Sequence, residues 1–254
     1  MLVLMGSYPL ALGVLGALLG NGAPGESALP RTVSGLLAVS AENMALFGVL
    51  FGIVVAVGRP SRRELFALGT PDPKAWALGL AYSAALRVGL AVVAVVGMTI
   101  AAAVLTAQGR PLDSLAAARP QVETLLDPSA LRDPVYLGIS LTLVSFIVAG
   151  LREELWRAVV FAALLRLAPG WGGTVRRRLT VVAIAAVIFG LGHLPQGWGG
   201  VLLTGALGAG LGAILIVHRS LWIAVLAHGF FDATSFALIR WVDELGYLDQ
   251  VLGK

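Results

Sequence analysis

The sequence predicts an all-α polytopic transmembrane helix bundle of about seven spans with an interior polar cavity. Three observations predict the bundle. Of the 254 residues, 58% are hydrophobic and 13% charged, against roughly 25% charged in a soluble domain. Mean hydropathy is +0.89. The apolar residues also come in long runs, and a helix needs roughly 20 such residues to cross the hydrocarbon layer. The net charge of +4 and the pI near 10.0 could suit nucleic acid. The arginines, however, cluster in short segments between apolar runs, which is a pattern of membrane orientation. There is no cysteine, so the chain has neither disulfides nor thiolate chemistry.

The runs lie at about 2–20, 35–58, 75–106, 136–167, 179–193, 200–217 and 221–241. The first starts at Met1 without a basic n-region and reads as a retained helix. The second holds Glu42 near its start, and the third holds Arg87. The fourth is too long for one straight crossing, so it must tilt, protrude or break, with Gly150 as the expected point. The fifth is short and stops at "HLPQG", because Pro195 cannot continue a helix. The sixth contains "GGVLLTGALGAGLG" (199–212), whose glycines allow close helix contact. The chain reads as a single membrane domain, 1–254. Spans without a recognisable motif occupy 1–106, an extramembrane connection 107–134, and the motif-bearing spans 135–241. Within the connection, "PLDSLAAA" suits a surface helix.

The basic segments "GRPSRRE" (58–64) and "RRR" (176–178), with Arg219, fall on one side if all the runs cross. The positive-inside rule then puts the N-terminus in the cytoplasm and the C-terminus outside. The expected location is the plasma (inner) membrane of a prokaryote.

The stretch "GLREELWRAVV" (150–160) breaks this apolar pattern. It holds Arg152, Glu153, Glu154 and Arg157 within six residues. One ionised side chain at mid-bilayer costs about 2.5–3.5 kcal/mol on insertion scales, so these groups must pair, face the interior or line a wet cavity. Glu153 and Arg157 are four apart in the favourable order, and Glu154 and Arg157 are three apart. On these rules Glu153 is the better partner for Arg157. Two of the three histidines also lie in apolar runs: His193 four residues after Phe189, and His228 four before Asp232. The third, His218, is expected in a loop beside Arg219. At about 1.5 Å per residue from the cytoplasmic ends, Glu153 and His193 lie roughly 20 Å deep and His228 roughly 10 Å.

A carboxylate and two imidazoles around one cavity support two chemistries. The carboxylate can act as general base on a water while the histidines polarise a carbonyl. Alternatively, His193 and His228, with Glu153 or Asp232, can hold a divalent metal that activates the water. There is no HExxH, and no serine sits in a G-x-S-x-G turn.

A Glu-Glu-x-x-x-Arg segment, then Phe-x-x-x-His, then His-x-x-x-Asn/Asp, on successive apolar helices, resembles the CPBP intramembrane protease family. These are the CAAX proteases and bacteriocin-processing enzymes, also called the ABI family. Phe189-Gly-Leu-Gly-His193 and His228-Gly-Phe-Phe-Asp232 fit the second and third motifs without gaps. The first motif is one residue short, at Glu153-Glu154-Leu-Trp-Arg157. The resemblance covers about 136–241. It implies hydrolysis of a peptide bond in a membrane-associated substrate, prenylated or leader-type, with membrane lipid as the other partner and no nucleic acid. The site it implies is Glu153, Glu154, His193, His228 and Asp232, supported by Arg157 and Phe189, with zinc as the one candidate cofactor. Glu153 is the preferred base, because it is an acid whichever way the short motif is aligned. Two other classes remain: a catalytically silent member that scaffolds membrane proteins, and a proton-coupled transporter subunit, since intramembrane Glu and His chains also relay protons.

Overall fold

The computed structural model describes residues 2–18, 27–66, 70–113, 115, 119–121, 124–167 and 175–246, without the side chains of 12–18. Seven long helices occupy the seven apolar runs: α1 (Leu2–Leu18), α2 (Val33–Gly58), α3 (Pro73–Ala107), α4 (Pro134–Leu167), α5 (Val175–Leu191), α6 (Gly197–His218) and α7 (Leu221–Glu244). Five of them, α2, α3, α4, α6 and α7, are long and apolar enough to cross a membrane. The chain is an integral membrane protein. Half of the "PLDSLAAA" segment, residues 114 and 116–118, lies outside the described residues.

Local chemistry sets the helix starts. Thr32 accepts from the Gly35 amide at 3.2 Å and Asp72 from Ala75 at 2.7 Å. Asp133 accepts from Val135 and Tyr136 at 2.7 and 3.1 Å. Each cap satisfies amides that have no intrahelical partner. Pro73 and Pro134 occupy first-turn positions, where the missing N–H costs nothing. Arg59 and Arg219 end α2 and α6 in left-handed conformations, with φ 43° and 52°.

The helices alternate in direction. At one end, Arg166 of α4 donates to the Gly58 carbonyl at 2.6 Å and pairs with Glu64 at 2.7 Å. The Leu221 amide donates to Phe66 O at the same end. The basic segment 58–64 therefore shares an end with the α6–α7 turn. At the opposite end, the Leu29 amide donates to Leu125 O and the Gln121 amide to Gln196 O. Tyr136 Oη donates to Pro30 O at 2.9 Å, and Arg132 pairs with Asp243 at 2.7 Å. His218 closes α6 as its last residue, and is not in a loop as the sequence suggests. Its Nε2 meets Tyr82 Oη of α3 at 2.7 Å.

Two devices shape the centre. The long α4 does not stop at Gly150; residues Ser140–Leu151 wind as a π-helix between α-helical ends. Ser145 Oγ donates five residues back, to Ser140 O at 2.7 Å. Glycines then bring the helices close. A Cβ at Gly150 would lie 3.0 Å from Val225 O, one at Gly190 2.6 Å from Val201 O, and one at Gly229 would overlap the Phe146 ring.

Gly190→Ala will therefore lower the thermal midpoint in detergent by forcing α5 from α6. Gly97→Ala, where a Cβ meets nothing within 4 Å, will leave it unchanged or raise it slightly. A second expectation concerns Glu64. Its carboxyl is held down to about 2, first by the Arg166 hydrogen bond and then by the Ser61 amide. A lowered carboxyl pKa stabilises above the unfolded value, and that contribution is lost as pH falls toward 2. Wild type will thus be more stable than Glu64→Gln at pH 7, and the difference in thermal midpoint will shrink below pH 4.5.

Candidate active site

The two acids of α4 are neighbours in sequence, so their side chains leave the helix about 100° apart. Glu154 points into the packed bundle and is fully buried, as is Arg157, with which it forms an ion pair. Glu153 points to a cavity and keeps 17% of its side chain exposed. Its Oε1 accepts from Arg152 Nη2 at 2.6 Å, and Arg152 Nη1 reaches Asn43 Oδ1 of α2 at 3.2 Å. The pairing thus differs from the expected one: Arg157 takes Glu154 at i,i+3, not Glu153. The reason is rotational. The face that turns Glu154 and Arg157 inward together turns Glu153 away, toward Arg152.

His228 of α7 joins the two acids. Its Nδ1 lies 2.9 Å from Glu154 Oε1. That contact fixes the ring, so Nε2 looks between Glu153 Oε2 and Asp232 Oδ2, each 3.7 Å away. Those gaps are too long for direct hydrogen bonds and suit an intervening group. The contact also corrects the depth count. Acids and imidazole share a level, so the helix ends from which residues were counted are offset by about 10 Å.

Beyond the end of α5, Pro195 forces a short 3-10 turn, Leu194–Gln196, with His193 as its leading residue. His193 Nδ1 bonds the Phe189 carbonyl at 2.8 Å, which fixes the ring and leaves Nε2 free of that contact. It both ends a helix and lines a cavity. Phe189 is more than packing. Its ring centre lies 4.8 Å from that of His193 and 6.5 Å from that of His228, and the Arg157 guanidinium sits 4.9 Å above it. Arg157 Nε and Nη2 have no hydrogen-bond partner among the described residues, and the ring face supplies a cation–π contact instead. Gly208 makes room for the ring, since a Cβ there would meet Phe189 at 2.8 Å.

Glu153, His193, His228 and Asp232 line one cavity of about 380 Å³, with Arg152 and Asn43. It reaches toward Ala28, Leu125 and Gln196, at the end of the bundle away from Arg166. The expected zinc donors, His193 and His228 with Glu153 or Asp232, do not fit a metal ion as arranged. Among the described residues, no three such side chains are grouped to hold one.

Four residues to which the sequence reading gave no role contribute, all from the motif-free N-terminal helices. Asn43 holds Arg152, as described above. Arg87 of α3 donates to Phe231 O at 2.7 Å, to Thr234 Oγ1 at 2.6 Å and to Ser235 Oγ at 3.1 Å, clamping α7 on both sides of Asp232. Tyr8 and Pro9 of α1 approach Glu153 and His193 from the opposite side. Arg87, as a charge in an apolar run, was the one with a signal in the sequence.

Comparison with known proteins concerns one segment of the chain. Residues 135–234 match the family described as type II CAAX prenyl endopeptidase, Rce1-like. The matched segment contains all three motifs and leaves α1, α2 and α3 outside it. No curated protein and no solved structure matches the chain. The match supports the resemblance to CPBP/CAAX proteases, and the Rce1-like family is one of intramembrane endopeptidases.

Because Arg157 neutralises a fully buried acid, Arg157→Met will cost about 3–5 kcal/mol of stability. Adding Glu154→Gln in the same chain will recover part of that loss, as denaturant unfolding in detergent of both single variants and the double variant will show.

Proposed function

We propose that the chain is an intramembrane endopeptidase in which Glu153 is the general base. The carboxylate takes a proton from a water as the water oxygen adds to the scissile carbonyl carbon. The oxyanion so formed faces His228 Nε2. Collapse breaks the C–N bond, and the proton held by Glu153 passes to the departing amine. His193 Nε2 orients the water. His228, carrying protons on both nitrogens, donates to the oxyanion. In that state Arg152, Arg157 and His228 balance Glu153, Glu154 and Asp232. Glu154 and Arg157 fix the His228 ring and do not meet the substrate. Asp232 stands 3.7 Å from Nε2, and its charge favours the doubly protonated ring. The substrate is a membrane-associated peptide, and the family resemblance favours a prenylated C-terminal tail.

The observation that carries this reading is the shared cavity wall of Glu153, His193, His228 and Asp232. The split between the acids supports the choice of base, since Glu153 reaches the cavity and Glu154 is sealed. The silent-scaffold reading draws its support from the short first motif and from Arg152, which occupies Glu153 Oε1.

The readings separate in liposomes carrying the purified chain and a farnesylated peptide, with an unprenylated control. Glu153→Gln will lower kcat about 10³-fold, and alanine at His193 or His228 about 10²-fold or more, within the range for general acid–base groups. Full cleavage by Glu153→Gln would end the general-base assignment. Absence of cleavage by the wild-type chain, with its phenotype unchanged by Glu153→Ala, would favour the scaffold.

A further inference from the structure

A second, smaller cavity lies behind Glu153. It measures about 110 Å³ and is lined by Tyr8, Pro9, Arg152, Glu153, Trp156 and His193, with Phe189 and Gly192. Arg152, Glu153, Phe189 and His193 line both cavities, so the two adjoin at these residues. The volume accommodates a few water molecules. Two buried polar atoms of its lining residues, Tyr8 Oη and Arg152 Nε, make no well-formed hydrogen bond, although the two side chains lie close enough to interact. Burying such groups unpaired is costly, so their presence beside a carboxylate and an imidazole marks a place for a small polar ligand.

The helix that brings Tyr8 here is docked by specific chemistry. In a regular helix the amide of residue 9 would donate to the carbonyl of residue 5. Pro9 has no N–H, which frees Met5 O. Trp156 Nε1 of α4 donates to that carbonyl at 2.6 Å. On the other flank, a Cβ at Gly192 would come within 2.9 Å of Pro9 Cβ, so only glycine lets α1 approach so closely. Tyr8 is thus held in place by a proline, a tryptophan and a glycine that each act on α1.

We propose that this small chamber holds the water that Glu153 activates, and that the Tyr8 hydroxyl is its second anchor. The inference rests on the endopeptidase reading and adds a division of labour to it. The scissile peptide occupies the larger cavity, and water reaches Glu153 from the α1 side. Tyr8 is a positioning residue: it acts on the water and not on the peptide. It lies outside the segment that matches the Rce1-like family.

Two measurements test it. In liposomes with the farnesylated peptide, Tyr8→Phe will lower kcat about tenfold while KM and the thermal midpoint stay near wild type. Tyr82→Phe, which loses a hydroxyl contact with His218, will not lower kcat. An unchanged kcat in Tyr8→Phe, in a preparation where Glu153→Gln is dead, overturns the water-anchor role and leaves the endopeptidase reading standing. Active Glu153→Gln overturns the endopeptidase reading instead. A high-resolution experimental structure reads the chamber independently of activity. An ordered water within hydrogen-bond distance of both Tyr8 Oη and Glu153 is expected. A dry chamber overturns the proposal.

Discussion

The bundle is organised around a charge that hydrocarbon does not tolerate. Glu154 and Arg157 are both fully buried, and in an apolar interior neither is stable without the other. Their pairing sets the rotation of α4. Once Glu154 faces inward, His228 must stand opposite it, which fixes α7 against α4. Phe189 must cover the guanidinium, which fixes α5, and Gly208 must be small, which fixes α6. The aliphatic residues that fill the remaining space, such as Val160, Leu211 and Ala224, are completely enclosed, but many apolar side chains would fill it as well. The ionic pair and its aromatic cover admit few alternatives.

The same rotation separates structure from chemistry. Two acids side by side on a helix cannot face the same way, so an inward Glu154 compels a cavity-facing Glu153. One carboxylate is used up orienting an imidazole, and the other keeps an oxygen facing the cavity. Pairing of this sort is a local device for building a reactive carboxylate next to a rigid one without a second helix to supply it.

Much of this was legible in the sequence because hydrophobic runs and isolated charges are strong signals in a membrane chain. The seven runs became the seven helices, and the glycine-rich stretch at 199–212 did bring helices together. The charged cluster at 152–157 did find partners on α7. What was not legible depends on geometry that spacing does not contain. Helical rules rate i,i+4 as the better-ordered pair, yet rotation gave Arg157 to Glu154. Depth counted from helix ends misplaced His228, because the ends counted from do not lie at one level. The roles of Tyr8 and Asn43 gave no signal at all, since a tyrosine near a helix end or an asparagine in an apolar run is unremarkable until its neighbours are known. Arg87 was conspicuous, but nothing in the sequence said which helix it would grip.

The π-helical stretch of α4 has a consequence for how this chain tolerates change in length. A wide turn accommodates more residues than an ordinary one, so Ser140–Leu151 carries surplus backbone just ahead of the acids. Losing a residue there would tighten the winding and swing everything downstream around the axis, carrying Glu153 off its wall and Glu154 out of its socket. Losing one in the 119–126 segment would leave that azimuth alone. The stretch therefore behaves as an angular adjuster, and insertions or deletions should be far scarcer in it than in the connection that precedes it.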